Sequence, residues 1–221
     1  EHPTKCTIPS TTDWSGYGWG TNYWSDGVDP AEGTNELHER LDHPQNGLTW
    51  HQAVEFCSWV TPNGRLPSEA EWEFAATGPE HTKYPWGNAP EPTCSNDKAV
   101  FNEAGDVGGF GCGEGGTLPV GSKSTGASWC GALDMSGNLW EWNLDWYHDS
   151  YNAAPDDGNA WVDPVSAERV IRGGNFQYGT GYMRSADRTY SAPSMRSAGQ
   201  GARCVRPVAP PVIGAGEALL A

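Results

Sequence analysis

The sequence predicts an α+β fold that is rich in loops, with a few short helices and short, irregular strands. Three observations lead there. First, 29 Gly and 17 Pro are spread through 221 residues, so nearly every stretch is interrupted before a long helix can propagate. Second, 12 Trp, 8 Tyr and 5 Phe supply much of the apolar content, so large rings must pin the fold. Third, two capping-box patterns announce two helices.

Residues 1–35 carry Trp14, Tyr17, Trp19, Tyr23 and Trp24 among Gly, Ser, Thr and Asn, with neither helical nor strand periodicity. They read as rings covering a core poor in aliphatic residues, or as an aromatic recognition loop. A first helix begins at Thr49, where Thr49 and Gln52 form a capping box. Trp50, Ala53, Val54, Cys57 and Val60 then share one face, and Asn63-Gly64 ends the helix with turn chemistry. A second begins after Pro67, where Ser68 and Glu71 repeat the pattern. Ala70, Phe74 and Ala75 supply its apolar positions, and Thr77-Gly78-Pro79 stops it.

Residues 79–132 read mostly as loop, too long to stand bare in a compact domain. Cys94 and Cys112 flank its acidic stretch Asn96–Asp106 and form the expected staple. Short strands are expected at Thr117–Val120, Leu139–Trp142, Arg169–Arg172 and Ala202–Arg206. Residues 207–221 read as a Pro/Ala/Gly tail or linker.

The net charge of −15 lacks the basic footprint of a nucleic-acid binder and disfavours anionic membrane surfaces. No apolar run is long enough to span a membrane. The acids read as solubilising, with one or two clusters suited to a hard cation. The six cysteines (Cys6, Cys57, Cys94, Cys112, Cys130, Cys204) are widely spaced, without a CxxC or Cys/His pattern. Structural disulfides in an oxidising compartment are the favoured reading, and buried thiols in a reducing one the alternative.

Several segments carry a resemblance: RLPSEAEWEFAA at 65–76, YPWGN at 84–88, LDMSGNLWEW at 133–142, VIRGG at 170–174, RSADR at 184–188 and GARC at 201–204. In this order, over roughly residues 43–206, they resemble the formylglycine-generating enzyme (sulfatase-modifying factor) family. The resemblance implies a C-type-lectin-like fold of the formylglycine-generating enzyme type, as one domain over residues 1–206. Family members open with a strand-rich stretch that this chain lacks ahead of residues 1–35. A fragment, a shortened variant and a second chain supplying the opening all stay open. The resemblance also pairs Cys57 with Cys204, which leaves Cys6 with Cys130.

The family's enzymes oxidise a sulfatase cysteine with oxygen and copper, using two cysteines after the RGG motif. Soft thiolates suit Cu(I). Here that segment, 175–183, holds no cysteine, and Met183 alone does not make a copper site, so copper is not expected. The reading is a non-catalytic, extracytoplasmic binding or assembly domain, secreted, periplasmic or on the cell surface. An oxidoreductase using residues outside any visible motif is the alternative. The mixture of Asn175, Gln177, Tyr178, Tyr182, Arg184 and Tyr190 suits a contact surface for a protein or glycan, or is an ordinary polar loop. Self-assembly is a further possibility. By resemblance, calcium is held by the carboxylates of Asp134 and Glu141 and the carbonyls of Gly137 and Leu139, with a second site near Asn102 and Asp106.

Overall fold

A computed structural model describes residues 42–206. The aromatic opening, Cys6 and the tail at 207–221 lie outside the described residues, and with Cys6 goes its expected pairing to Cys130. Thr49 caps the first helix, Trp50–Val60 (α1). Its Oγ1 accepts the Gln52 N–H at 3.2 Å, while Gln52 Oε1 accepts the Thr49 N–H at 3.1 Å, so two otherwise orphaned donors are satisfied. Ala53 and Cys57, four residues apart, are fully buried on one face. The chain turns away at Asn63-Gly64, where a Cβ on Gly64 would lie 2.1 Å from the Cys57 carbonyl oxygen.

Ser68 and Glu71 cap the second helix, Glu69–Thr77 (α2), in the same reciprocal way. Its buried face differs from the expected one. Glu69, Trp72, Ala76 and Thr77 point inward, Ala70 is exposed, and Phe74 and Ala75 are half-buried. The cause is electrostatic. Glu69 and Glu73, at the i, i+4 spacing, both reach arginines of the sheet, and this sets the rotation of the helix. Glu73 stays partly exposed while it reaches Arg172.

Four strands form one sheet: Trp140–Trp146 (β1), Arg169–Arg172 (β2), Arg188–Ser191 (β3) and Gln200–Gly201 (β4), in the order β3-β2-β1-β4. β2 runs antiparallel to β1 and β3, and β4 runs parallel to β1. The expectation at 169–172 matches β2. The one at 139–142 is too short, because β1 continues to Trp146. Thr117–Val120 is not a strand. Its backbone is held by a side chain, with the Leu118 N–H donating to Asn138 Oδ1 and Asn138 Nδ2 donating to the Leu118 carbonyl, each at 3.1 Å, and Pro119 has no N–H to offer a ladder. At the closing segment the ladder lies at 200–201 instead of 202–206, and Val205 makes a lone bridge to Arg65.

Trp140, Trp142 and Ile171 of the sheet pack with Ala53 and Cys57 of α1 and with Leu66 in a buried cluster. Two disulfides hold this frame. Cys57–Cys204 joins α1 to the segment after β4 across 147 residues, and Cys94–Cys112 staples the long loop. No described helix is long and apolar enough to cross a membrane.

Candidate functional site

After Gly174 the chain is fixed from beneath. Asn175 is buried. Its Oδ1 accepts the Gln177 N–H at 2.9 Å and its Nδ2 donates to the Gly199 carbonyl at 3.2 Å. It is a support for the turn and not part of a contact surface. Phe176 is buried beside Phe110, edge to face at 6.0 Å. A 3₁₀ turn over Thr180–Met183 then buries Met183 completely and brings Tyr182 back beside Tyr178. The two phenol rings lie 4.8 Å apart, each 6.2 Å from the ring of Trp140. Trp140 is 4% exposed, whereas Tyr178 and Tyr182 are 44% and 42% exposed. The result is a pair of exposed rings on a buried base.

Gln177 is half-buried beside this pair, and Arg184 is exposed just beyond it. Tyr190 belongs elsewhere. It lies on β3 and packs on Tyr147 at 4.4 Å, one residue past the end of β1, whereas the tyrosine pair rests on the first residue of β1. The strand between them spans on the order of 20 Å. The six residues singled out as one surface thus divide into a patch of Gln177, Tyr178, Tyr182 and Arg184, the buried Asn175, and the separate Tyr190.

The turn Asp134–Glu141 brings its two acids near one guanidinium. Glu141 is 7% exposed. It accepts from Trp72 Nε1 at 2.7 Å and from Arg203 through both oxygens. Asp134 Oδ2 accepts the Gly121 N–H at 2.7 Å. Burial pushes the Asp134 carboxyl above its ordinary range, the Gly121 bond and Arg203 pull it back, and Glu141 pushes it further up. A buried and a half-buried carboxylate facing one arginine suit a cation by charge. Glu141 would have to share its oxygens between the ion and Arg203. At the second position, Asn102 is buried. Its Oδ1 accepts the Gly105 N–H at 2.8 Å, and its Nδ2 donates to the carbonyls of Asp106 and Gln177 at 3.0 and 3.2 Å. Asp106 Oδ1 accepts the Gly109 N–H. Asn102 and Asp106 are brought together there, and their side chains bond to the backbone of the loop and, from Asn102, of Gln177.

Reading the sequence missed a buried ionic cluster under α2. Glu69 accepts from Arg188 at 2.7 and 3.0 Å and from the Tyr151 hydroxyl at 2.9 Å. Arg172 is fully buried, pairs with Glu69 at 3.4 Å, and also binds Glu73. The i, i+4 glutamates were the available signal.

A profile of the sulfatase-modifying factor enzyme 1-like domain matches residues 10–208. The chain is 32% identical over 196 residues to the formylglycine-generating enzyme of Thermomonospora curvata, covering 82% of this chain and 60% of that protein. It is 30% identical over 188 residues to the inactive C-alpha-formylglycine-generating enzyme 2 of Bos taurus, covering 82% and 55%. Among solved structures, PvdO from Pseudomonas aeruginosa superposes with a TM-score of 0.61 at 29% identity, over 74% of this chain and 61% of that one. Variable protein 1 of Treponema denticola shares the fold, with a TM-score of 0.57 at 22% identity over 76% and 73%. The chain thus spans three fifths or less of the length of these two curated relatives.

Proposed function

The chain belongs to the sulfatase-modifying factor enzyme 1-like domain family, and from that membership we propose that it is a non-catalytic recognition domain working outside the cytoplasm. The observation that carries the proposal is the exposed Tyr178–Tyr182 pair seated on buried Trp140. It stands in the segment where the resemblance places the two copper-binding cysteines. Phenol rings on a fixed base bring contact area at low entropic cost, and their hydroxyls turn to donate or accept as a protein or glycan surface requires. Similarity to a relative described as inactive supports the same reading. The two disulfides suit an oxidising compartment. Calcium belongs to the proposal as a structural ion, held by Asp134, Glu141 and the carbonyls of Gly137 and Leu139. Its chemistry there is to neutralise the two carboxylates and fix the turn. Asn102 and Asp106 are the proposed second position.

The test is a screen of glycan and peptide arrays with the parent and the double variant Tyr178→Ala/Tyr182→Ala. Ligands of the parent are expected to lose about 30-fold in affinity on the variant, the equivalent of ~2 kcal/mol for an aromatic anchor, while the melting temperature holds. A ligand set that survives both substitutions rejects the tyrosine pair as the contact surface.

A further inference from the structure

Apart from the tyrosine pair, the C-terminal end of α2, the turn at 84–87 and residues 127–129 border an open pocket of about 230 Å³. Two tryptophans line it. Trp86 stacks on Tyr84 with ring centroids 5.0 Å apart and planes within 5°, and its indole N–H donates to the Pro90 carbonyl at 2.9 Å. Trp129 is 41% exposed, packs edge-on against Phe74, and donates its N–H to the Phe74 carbonyl at 2.7 Å. Both indoles have spent their one donor, so each offers ring surface alone. The backbone makes room for this. Gly78 ends α2 at φ 64, and a Cβ there would stand 2.7 Å from Trp129 Cγ.

Two hydroxyls of the lining have spent their protons as well. Thr82 Oγ1 donates to the Tyr84 carbonyl at 2.7 Å, and Thr77 Oγ1 donates to the Glu73 carbonyl at 2.9 Å. These two offer a ligand lone pairs, beside the Ser128 hydroxyl and the exposed carboxylate of Glu80 at the rim. A matching ligand must be small, donate several hydrogen bonds and present a flat C–H face to a ring. A neutral ligand fits best, because the Glu80 carboxylate at the rim and a chain of net charge −15 oppose anions, while the Lys98 ammonium, 5.8 Å from the Trp86 ring, opposes cations. At a volume below the usual range for ligand pockets, this one admits one ring.

We propose that this pocket is a saccharide subsite for a single neutral pyranose with equatorial hydroxyls, held against Trp129 and Trp86 and hydrogen-bonded to Glu80. The site is separate from the tyrosine pair, and its failure would leave the recognition reading untouched.

The experiment uses the full chain with methyl β-glucopyranoside as probe, followed by saturation-transfer NMR and titration calorimetry. Saturation transfer to the axial ring C–H protons is expected, with affinity in the millimolar range at about 1 mM. Trp129→Ala and Trp86→Ala should each weaken binding about tenfold, and Glu80→Gln should weaken it without changing the melting temperature. The corresponding glucuronide should bind less tightly than the neutral glycoside, and Tyr178→Ala should leave binding unchanged. The Glu80→Gln arm keeps the test valid if a tryptophan variant fails to fold. Absence of saturation transfer, equal binding by parent and Glu80→Gln, tighter binding of the glucuronide, or loss of binding in Tyr178→Ala would each overturn the proposal.

Discussion

The two faces of β1 are packed by opposite chemistry. Toward α1 the strand presents Trp140 and Trp142, which close on Ala53, Cys57, Leu66 and Ile171. Toward α2 it presents Glu141, Asn143 and Asp145, at 7%, 0% and 5% exposure. These polar residues are as dry as the tryptophans. Each bond found on that face is specific: Glu141 to Trp72 and Arg203, and Asp145 to the N–H groups of Glu69 and Trp161 at 2.7 and 2.8 Å. Burial still holds the Asp145 carboxyl above its ordinary range against those two bonds. One face is held by volume and dispersion, which tolerate a similar shape. The other is held by matched charges and donors, where each unpaired group is costly, and Asn143 Oδ1 is one such buried oxygen with no hydrogen bond among the described residues.

The largest effects should come from breaking each face at its centre. Trp142→Ala should cost about 3–5 kcal/mol, and Arg172→Met, which takes the arginine from Glu73 and leaves Glu69 to Arg188 and Tyr151, should cost about 3 kcal/mol. For a chain of this size either loss lowers the melting temperature by on the order of 10 °C. The faces separate in the second step. Adding Glu73→Met to Arg172→Met should recover part of the loss, because removing both partners of a pair with one buried member costs less than removing one. A double variant as unstable as the sum of its parts would show that the pair is not coupled.

Calcium sharpens the same contrast on a smaller scale. At an ion concentration 100-fold above Kd, the gain is about 2.7 kcal/mol, so a chelator should lower the melting temperature of the parent. Asp134→Ala should abolish that response while keeping the Arg203–Glu141 pair. The same melting curve with calcium and with chelator would remove the ion from the proposal.

The smallest effect lies at the edge of α2. Burial raises the Glu71 carboxyl, but the bond from Arg65, at 2.6 Å through each oxygen, and the Ser68 N–H outweigh it, so its pKa lies below the ordinary glutamate value. A depressed carboxyl contributes stability that is full above its unfolded pKa and is lost as pH falls through the folded one. Arg65→Met should therefore flatten the acid side of the stability profile. The size should be modest because both side chains are over a third exposed. An unchanged acid limb would show that the pair is too well solvated to matter.

Much of the apolar face was legible in the sequence. The capping boxes located both helices, and Cys57 marked the buried face of α1. The polar face was not legible, because a glutamate on a short helix looks the same whether it meets water or a buried arginine. Glu69 and Arg188 are 119 residues apart, and only the fold brings them together. The segment 117–120 failed as a strand for a related reason: the side chain of Asn138 imitates a backbone partner, and no periodicity reports that. At the candidate site, Tyr178 and Tyr182 were identifiable by type. Their shared seat on Trp140, and the distance to Tyr190, depended on where β1 begins and ends.

The non-catalytic reading meets its most direct test in mass spectrometry of a sulfatase-motif peptide incubated with the purified chain, Cu(I) and oxygen. The account predicts an unmodified cysteine with or without the protein. An aldehyde product that requires the chain, and that grows with its concentration, would contradict it.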